Sequence, residues 1–120
     1  MSESSFSRES RLRRQADFNR VHQANVFVAD ETLVIRAAAN GAQPTRIGIS
    51  VSRQVGNAVV RNRWKRLTRE AFRLSQADLP AGLDLVVRPR RGAVAELSAI
   101  QRSLRQLVPR LARRLLKEQP

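Results

Sequence analysis

The chain has no cysteine, which excludes a disulfide framework and thiolate metal sites. Its single histidine, His22, is a poor basis for a structural zinc site without cysteine partners. Tyrosine is absent, and the aromatic inventory is Phe6, Phe18, Phe27, Phe72 and Trp64. The five glycines are scattered and form no loop that could cradle a nucleotide. No apolar run approaches the roughly 18 residues of a membrane span. The N-terminal stretch MSESSFSRESRLRR is polar and lacks an apolar signal core, so the expected address is cytoplasmic. Acidic residues are the most telling shortage: 10 Asp and Glu stand against 23 Lys and Arg, leaving a formal charge of +13. Such an excess repels itself and costs stability in the compact state. The implied partner is an external polyanion, with nucleic acid ahead of a membrane surface or an acidic protein.

What is present fits one domain, since 120 residues can bury one modest core. Residues 1–10 are serine-rich and expected to be a disordered tail. Arg11, Arg13 and Arg14 form a small basic cluster. Ala16 to Gln23 can make a short helix with Phe18 and Val21 on one side. Val26 to Ala29 and Thr32 to Ala39 read as strands, and Asn40-Gly41 as a turn. Arg46 to Ser52 alternates, with Ile47, Ile49 and Val51 facing one way and Gly48, Ser50 and Ser52 the other. A helix is predicted from about Ala58 to Ser75. Leu83 to Arg88 is a strand stopped by Pro89, followed by the basic turn Arg90-Arg91-Gly92. Ala95 to Leu107 is helical, Pro109 is expected to kink or restart it, and Leu111 to Lys117 continues as a basic helix. The order is α-β-β-β-α-β-α, a single α+β sandwich.

The central helix carries the strongest signal. RNRWKRLTREAFR, Arg61 to Arg73, holds six cationic residues and one acid, Glu70. At about 100° per residue, Val60, Trp64, Leu67, Ala71 and Leu74 fall within about 40° of one line, an expected core-facing stripe. Asn62, Lys65, Arg66, Arg69 and Arg73 form a ridge on the far side. Arg61 and Arg63 flank the stripe. An ordinary solvated face interleaves both signs; this ridge contains no carboxylate, and like charges at i, i+4 destabilise an isolated helix. The ridge therefore reads as a polyanion-binding surface. Charge alone does not separate DNA from RNA. Phe18, with His22 four residues later, either packs into the sheet or offers a stacking platform for an unpaired base.

Catalytic constellations are missing. Ser50 and Ser52 lack a base partner, and Asp17, Asp30, Glu31, Asp78, Asp84, Glu96 and Glu118 show no spacing for two-metal chemistry. Asp84 reads as a cap or ion pair at its strand entrance. If the chain serves an enzyme, another component supplies the chemistry. A structural RNA-binding protein of the ribosomal type is the alternative from composition.

RIGISVSRQVGNAVVRNRWKRLTREAFRL, Arg46 to Leu74, closely resembles the signature of the bacterial ribonuclease P protein component. In that family a strand with Gly and Val-Ser precedes Val-Gly-x-Ala-Val, Arg-Asn-Arg-x-Lys-Arg and Arg-Glu-x-Phe-Arg. Here these are Gly48, Val51-Ser52, Val55-Gly56, Ala58-Val59, Arg61-Asn62-Arg63, Lys65-Arg66 and Arg69 to Arg73. RLRRQADFNRV and GLDLVVRPRRGA resemble the family's first helix and last strand. The resemblance implies a left-handed βαβ crossover around the basic helix. It also implies a role beside a catalytic RNA that removes the 5′ leader of precursor tRNA. The RNA and its Mg²⁺ would perform the hydrolysis, with no cofactor on the protein and neither DNA nor membrane as partner. On this resemblance residues 11–117 are one RNA-binding domain, binding the RNA one-to-one. Arg61, Asn62, Arg63, Lys65, Arg66 and Arg69 are implied to contact the catalytic RNA. A cleft with Phe18, His22, Arg36 and Ser50 is implied to hold the leader. Arg11, Arg13, Arg14, Arg53, Arg90 and Arg91 are expected as further basic contacts. Family members often carry aromatics where this chain has His22 and near Arg36, and paired lysines where it has Arg53-Gln54, so weaker cleft stacking is expected.

Overall fold

A computed structural model describes residues 10–41 and 43–116. Its elements are α1 (Gln15–Ala24), β1 (Val26–Ala29), β2 (Leu33–Ala39), β3 (Arg46–Ile49), α2 (Ala58–Ser75), β4 (Leu83–Pro89) and α3 (Leu97–Leu116). This is the expected order, and the class is α+β. The strands form one mixed sheet in the order β1-β2-β4-β3, antiparallel except for the parallel β3–β4 pair.

Period-two alternation gives the sheet two different faces. Leu33, Ile35 and Ala37 of β2, Leu83, Leu85 and Val87 of β4, and Ile47 of β3 share one face and form the main core. They meet Trp64, Ala71 and Phe72 of α2 and Ile100, Leu104, Leu107, Val108 and Leu111 of α3. Each fully buried side chain of this kind contributes about 1.5–3 kcal/mol. The opposite face is more polar, and α1 covers part of it. There Leu12, Val21, Ala38 and Val86 make a second, smaller cluster with Phe18 against it. The molecule is thus layered, with α1 on one side of the sheet and the α2–α3 pair on the other.

A buried ionic network fastens α1 to the sheet. Asp84 of β4 has no solvent exposure. Its carboxylate accepts from Arg46 Nε at 2.9 Å, from an Arg46 terminal nitrogen at 2.6 Å and from Asn40 Nδ2 at 3.0 Å. Arg20 of α1 completes the pairing and also donates to the Ala39 carbonyl at 2.9 Å. Burial alone would raise the Asp84 pKa. The hydrogen bonds from Arg46 and Asn40 and the charges of Arg46 and Arg20 outweigh it and hold the carboxyl below its ordinary range. The ion pair expected at this strand entrance is present.

Local signals explain the boundaries. Asn57 caps α2, its side-chain oxygen accepting the Val60 N–H at 3.0 Å. Asn25 ends α1 in the left-handed region at φ 53°, where asparagine is tolerated, and its N–H donates to the His22 carbonyl. β3 is shorter than the predicted run to Ser52. Ser50 still donates to the Val87 carbonyl at 2.9 Å, but Val55 then donates back to Ser52 and turns the chain toward α2.

Two expectations about helices are corrected. The buried positions of α2 are Trp64, Thr68, Ala71, Phe72 and Ser75, not the stripe ending in Leu74. Val60 and Leu74 remain 37% and 43% exposed while Phe72 is fully buried. The helix is rotated so that its two large aromatics, which bury the most apolar area, both enter the core. Pro109 does not restart the helix: α3 runs as one element from Leu97 to Leu116 through it. The carbonyl that proline leaves without its N–H belongs to Arg105, an exposed residue, so water can satisfy it. Buried Leu104, Leu107, Val108, Leu111 and Ala112 on both sides hold the helix to the sheet. The predicted N-terminal tail lies outside the described residues except for Ser10. That residue is buried and its hydroxyl accepts from Gln76 Nε2 at 3.1 Å. Lys117 also lies outside them.

Candidate nucleic-acid interface

The ridge forms on the outward side of α2. Asn62, Arg63 and Arg66 are exposed, while Arg61, Lys65 and Arg69 are half-buried. Arg61 is braced by donating to the Gly56 carbonyl at 2.7 Å, just before the helix cap. Arg63 leans toward the start of α3, 3.4 Å from the Ala95 carbonyl. Arg73 is engaged by Glu70 one turn earlier, which neutralises that end of the ridge. Arg69 sits at the other edge of the helix. Burial and, after it, the charge of neighbouring Arg11 both lower the Arg69 pKa. Two guanidinium groups held near each other make a place where an anion is favoured.

Arg11 reaches this position because Leu12 runs beside β3, its N–H donating to the Ile47 carbonyl at 3.0 Å. Arg11 and Arg69 line one recess with Leu12, Phe18, Ile47, Gly48 and Ile49. A ridge residue and a predicted cleft residue therefore share a wall at the β3 edge of the sheet.

The cleft runs between α1 and β3. Phe18 and His22 are one helical turn apart, about 6 Å, and Gly48 and Ser50 are two strand residues apart, about 6.6 Å. The spacings match. Phe18 lies directly on Gly48: a Cβ there would sit 2.5 Å from Phe18 Cζ and 3.1 Å from Leu12 Cβ. Phe18 is therefore half-buried, with part of its surface left open to the recess. His22 and Ser50 are exposed and line a small recess with Val34, Arg36, Val86 and Arg88. All four predicted cleft residues thus lie along one track.

Beyond this recess the track widens into a groove of about 880 Å³, lined among others by Phe27, Arg36, Arg53, Arg88, Arg90 and Arg91. Arg53, Arg90 and Arg91 were expected as basic contacts; Phe27 and Arg88 were not singled out. Phe27 sits in an apolar run, VFVA, that gives no sign of which side faces water. In the fold it is 47% exposed, with Arg36 Cζ 5.0 Å from its ring centroid. Arg13 and Arg14 are exposed and line a separate groove with Arg11, Asp17 and Arg46. Among the described residues no three His, Asp or Glu side chains come together as a metal site would need. Asp84 and Glu70 are paired with arginine, and Asp30 accepts from Ser103 Oγ at 2.6 Å.

A family model for ribonuclease P matches residues 6–112. The chain belongs to the ribonuclease P protein family. It is 42% identical to the ribonuclease P protein component of Brevibacillus brevis, over 94% of this chain and 90% of that one. The solved RNase P protein of Staphylococcus aureus superposes with a TM-score of 0.72 at 34% identity, covering 86% of this chain and 94% of that one. That of Thermotoga maritima gives 0.64 at 31%, covering 89% and 91%. The protein is accordingly a component of the ribonuclease P ribonucleoprotein, as its non-catalytic subunit. The family supports tRNA processing and RNA binding, and it sets the ribosomal-type alternative aside. It does not support the cytoplasmic address expected from the sequence, and that expectation is withdrawn. No helix of the described residues is long and apolar enough to cross a membrane, which by itself names no compartment.

Proposed function

We propose that the protein binds the catalytic RNA of ribonuclease P one-to-one through α2. In the same reading it holds the single-stranded 5′ leader of precursor tRNA along the α1–β3 cleft. Arg61, Asn62, Arg63, Lys65, Arg66 and Arg69 meet phosphates of the folded RNA. Phe18 stacks on an unpaired leader base, with His22, Arg36 and Ser50 continuing the track. The observation that carries this reading is the recess shared by Arg11, Arg69, Phe18 and Gly48. It lets a strand pass from the RNA-facing helix straight into the cleft. Residues 11–117 act as one RNA-binding domain, with neither DNA nor a membrane as partner. The β3–α2–β4 connection is the left-handed crossover implied by the family, an exception to the strong right-handed rule.

The protein's role is to position. Among the described residues no group of His, Asp or Glu side chains could hold a metal ion, and Asp30, Glu70 and Asp84 are engaged by a hydroxyl or by arginines, so these side chains do not fit a Mg²⁺ site. In this reading Mg²⁺ held by the RNA would supply the hydrolytic chemistry. A cleavage assay on precursor tRNA at physiological Mg²⁺ tests the division of labour. Protein plus cognate RNA should remove the leader faster than RNA alone, and RNA-free protein should not cleave. Metal-dependent cleavage by rigorously RNA-free protein would contradict it.

A further inference from the structure

We propose that Phe27 and Arg36 form a second stacking platform, on the β1–β2 edge of the sheet, for an unpaired leader base beyond the α1 cleft. The inference rests on the leader-binding reading above and extends it along the strand. The two residues are direct partners in the β1–β2 register, so they lie side by side on one face. Arg36 Cζ is 5.0 Å from the Phe27 centroid, within the range of cation–π attraction. Nearly half of the phenylalanine is nevertheless left in water. A phenyl ring exposed on a strand and braced by a guanidinium is a preorganised surface for a flat partner.

The surroundings identify that partner. The groove around the pair carries Arg53, Arg88, Arg90 and Arg91 and has no carboxylate in its lining. A backbone with regular negative charge fits it. Its volume of about 880 Å³ is of the size that encloses small organic ligands, room for a nucleotide rather than a duplex. Ser52 and Gln54 add exposed polar groups at the rim. Concave shape, aromatic surface and cationic walls together suit single-stranded RNA, whose bases are free to stack. Arg36 and Arg88 also line the recess with His22 and Ser50, so the groove continues the cleft. The platform is held in place: Arg114 donates to the Phe27 carbonyl at 3.0 Å, and the Arg90 N–H donates to the Thr32 carbonyl at 2.9 Å.

The test is equilibrium binding of the assembled holoenzyme to mature tRNA and to precursor tRNAs with a short and a long leader. The wild-type protein is compared with Phe27→Ala, Phe27→Trp and Arg36→Gln. Wild type should gain affinity from mature to short and again from short to long. Phe27→Ala should lose roughly 5-fold or more on the long leader, and hardly change on the short leader or mature tRNA. Phe27→Trp should keep the gain, and Arg36→Gln should lose part of it. Melting temperatures show whether each variant folds; if Phe27→Ala does not, Phe27→Leu keeps the apolar side chain without the ring and is read the same way. If wild type gains from the leader but Phe27→Ala and Phe27→Leu bind the long leader equally well, the platform is wrong and the cleft stands. If wild type binds all three tRNAs equally, the leader reading itself fails.

Discussion

Gly48 and Asp84 show how single residues set the geometry of the cleft. Gly48 has no Cβ because the Phe18 ring occupies that space. Gly48→Ala should push the ring off β3 and cost about 1–3 kcal/mol, the usual range for overpacking. The check is chemical denaturation, with a lowered midpoint and an unchanged slope. Asp84 is a buried carboxylate between two arginines, and its removal leaves both partners wanting an anion. Asp84→Asn should destabilise the fold by about 3–5 kcal/mol. The same pairing fixes the acid response. Asp84 and Asp30 both have pKa values below the ordinary value in the fold, Asp30 because hydrogen bonds from Ser103, Leu33 and Thr32 outweigh its burial. Their stabilisation is therefore fully present above the unfolded value, about 3.9, and is lost as pH falls through the lower folded values. Stability should be flat from neutrality to about pH 5 and decline below about pH 4. The decline should be shallower in Asp84→Asn.

At the scale of elements, α2 and α3 illustrate opposite relations between local signal and tertiary packing. On α2 the roll that buries Trp64 and Phe72 still leaves Arg63 and Arg66 exposed and Arg61, Lys65 and Arg69 half-buried. Arg66→Ala with Lys65→Ala should weaken assembly with the catalytic RNA and leave the melting temperature nearly unchanged. Each lost phosphate contact should reduce the salt dependence by roughly 0.7–0.9 in log–log slope. Unchanged affinity and slope in the double variant would return the ridge to an ordinary solvated face. On α3 the packing overrides the sequence. Pro109 costs helix energy that the buried stripe offsets, so Pro109→Ala should restore a backbone bond to Arg105. It should raise stability by about 1–3 kcal/mol, measured as an increased melting temperature.

The whole molecule was legible wherever a local rule and the packing agreed. The cationic helix expected from about Ala58 to Ser75 forms over those residues, and the four runs read as strands are strands, although the one read from alternation, Arg46 to Ser52, ends at Ile49. Missing were relations that span the chain. Asp84 was expected to form an ion pair, but nothing in the sequence names Arg20, 64 positions away, as its partner. The roll of α2 depended on how much volume Phe72 brings to the core, which angular averaging does not weigh. Phe27 gave no signal because an apolar run conceals which face the sheet leaves open. The central claim is that one small fold presents two RNA surfaces that meet at the β3 edge and can be impaired separately. The most direct test is a paired measurement on the Phe18→Ala protein and the Lys65→Ala/Arg66→Ala protein. One value is affinity for the catalytic RNA; the other is holoenzyme affinity for precursor against mature tRNA. Phe18→Ala should assemble nearly normally and lose about 1–3 kcal/mol of precursor binding alone. The α2 variant should assemble poorly, yet once assembled should still prefer precursor over mature tRNA. Equal loss of both properties in both proteins, or equal loss for the two tRNAs in Phe18→Ala, would contradict the account.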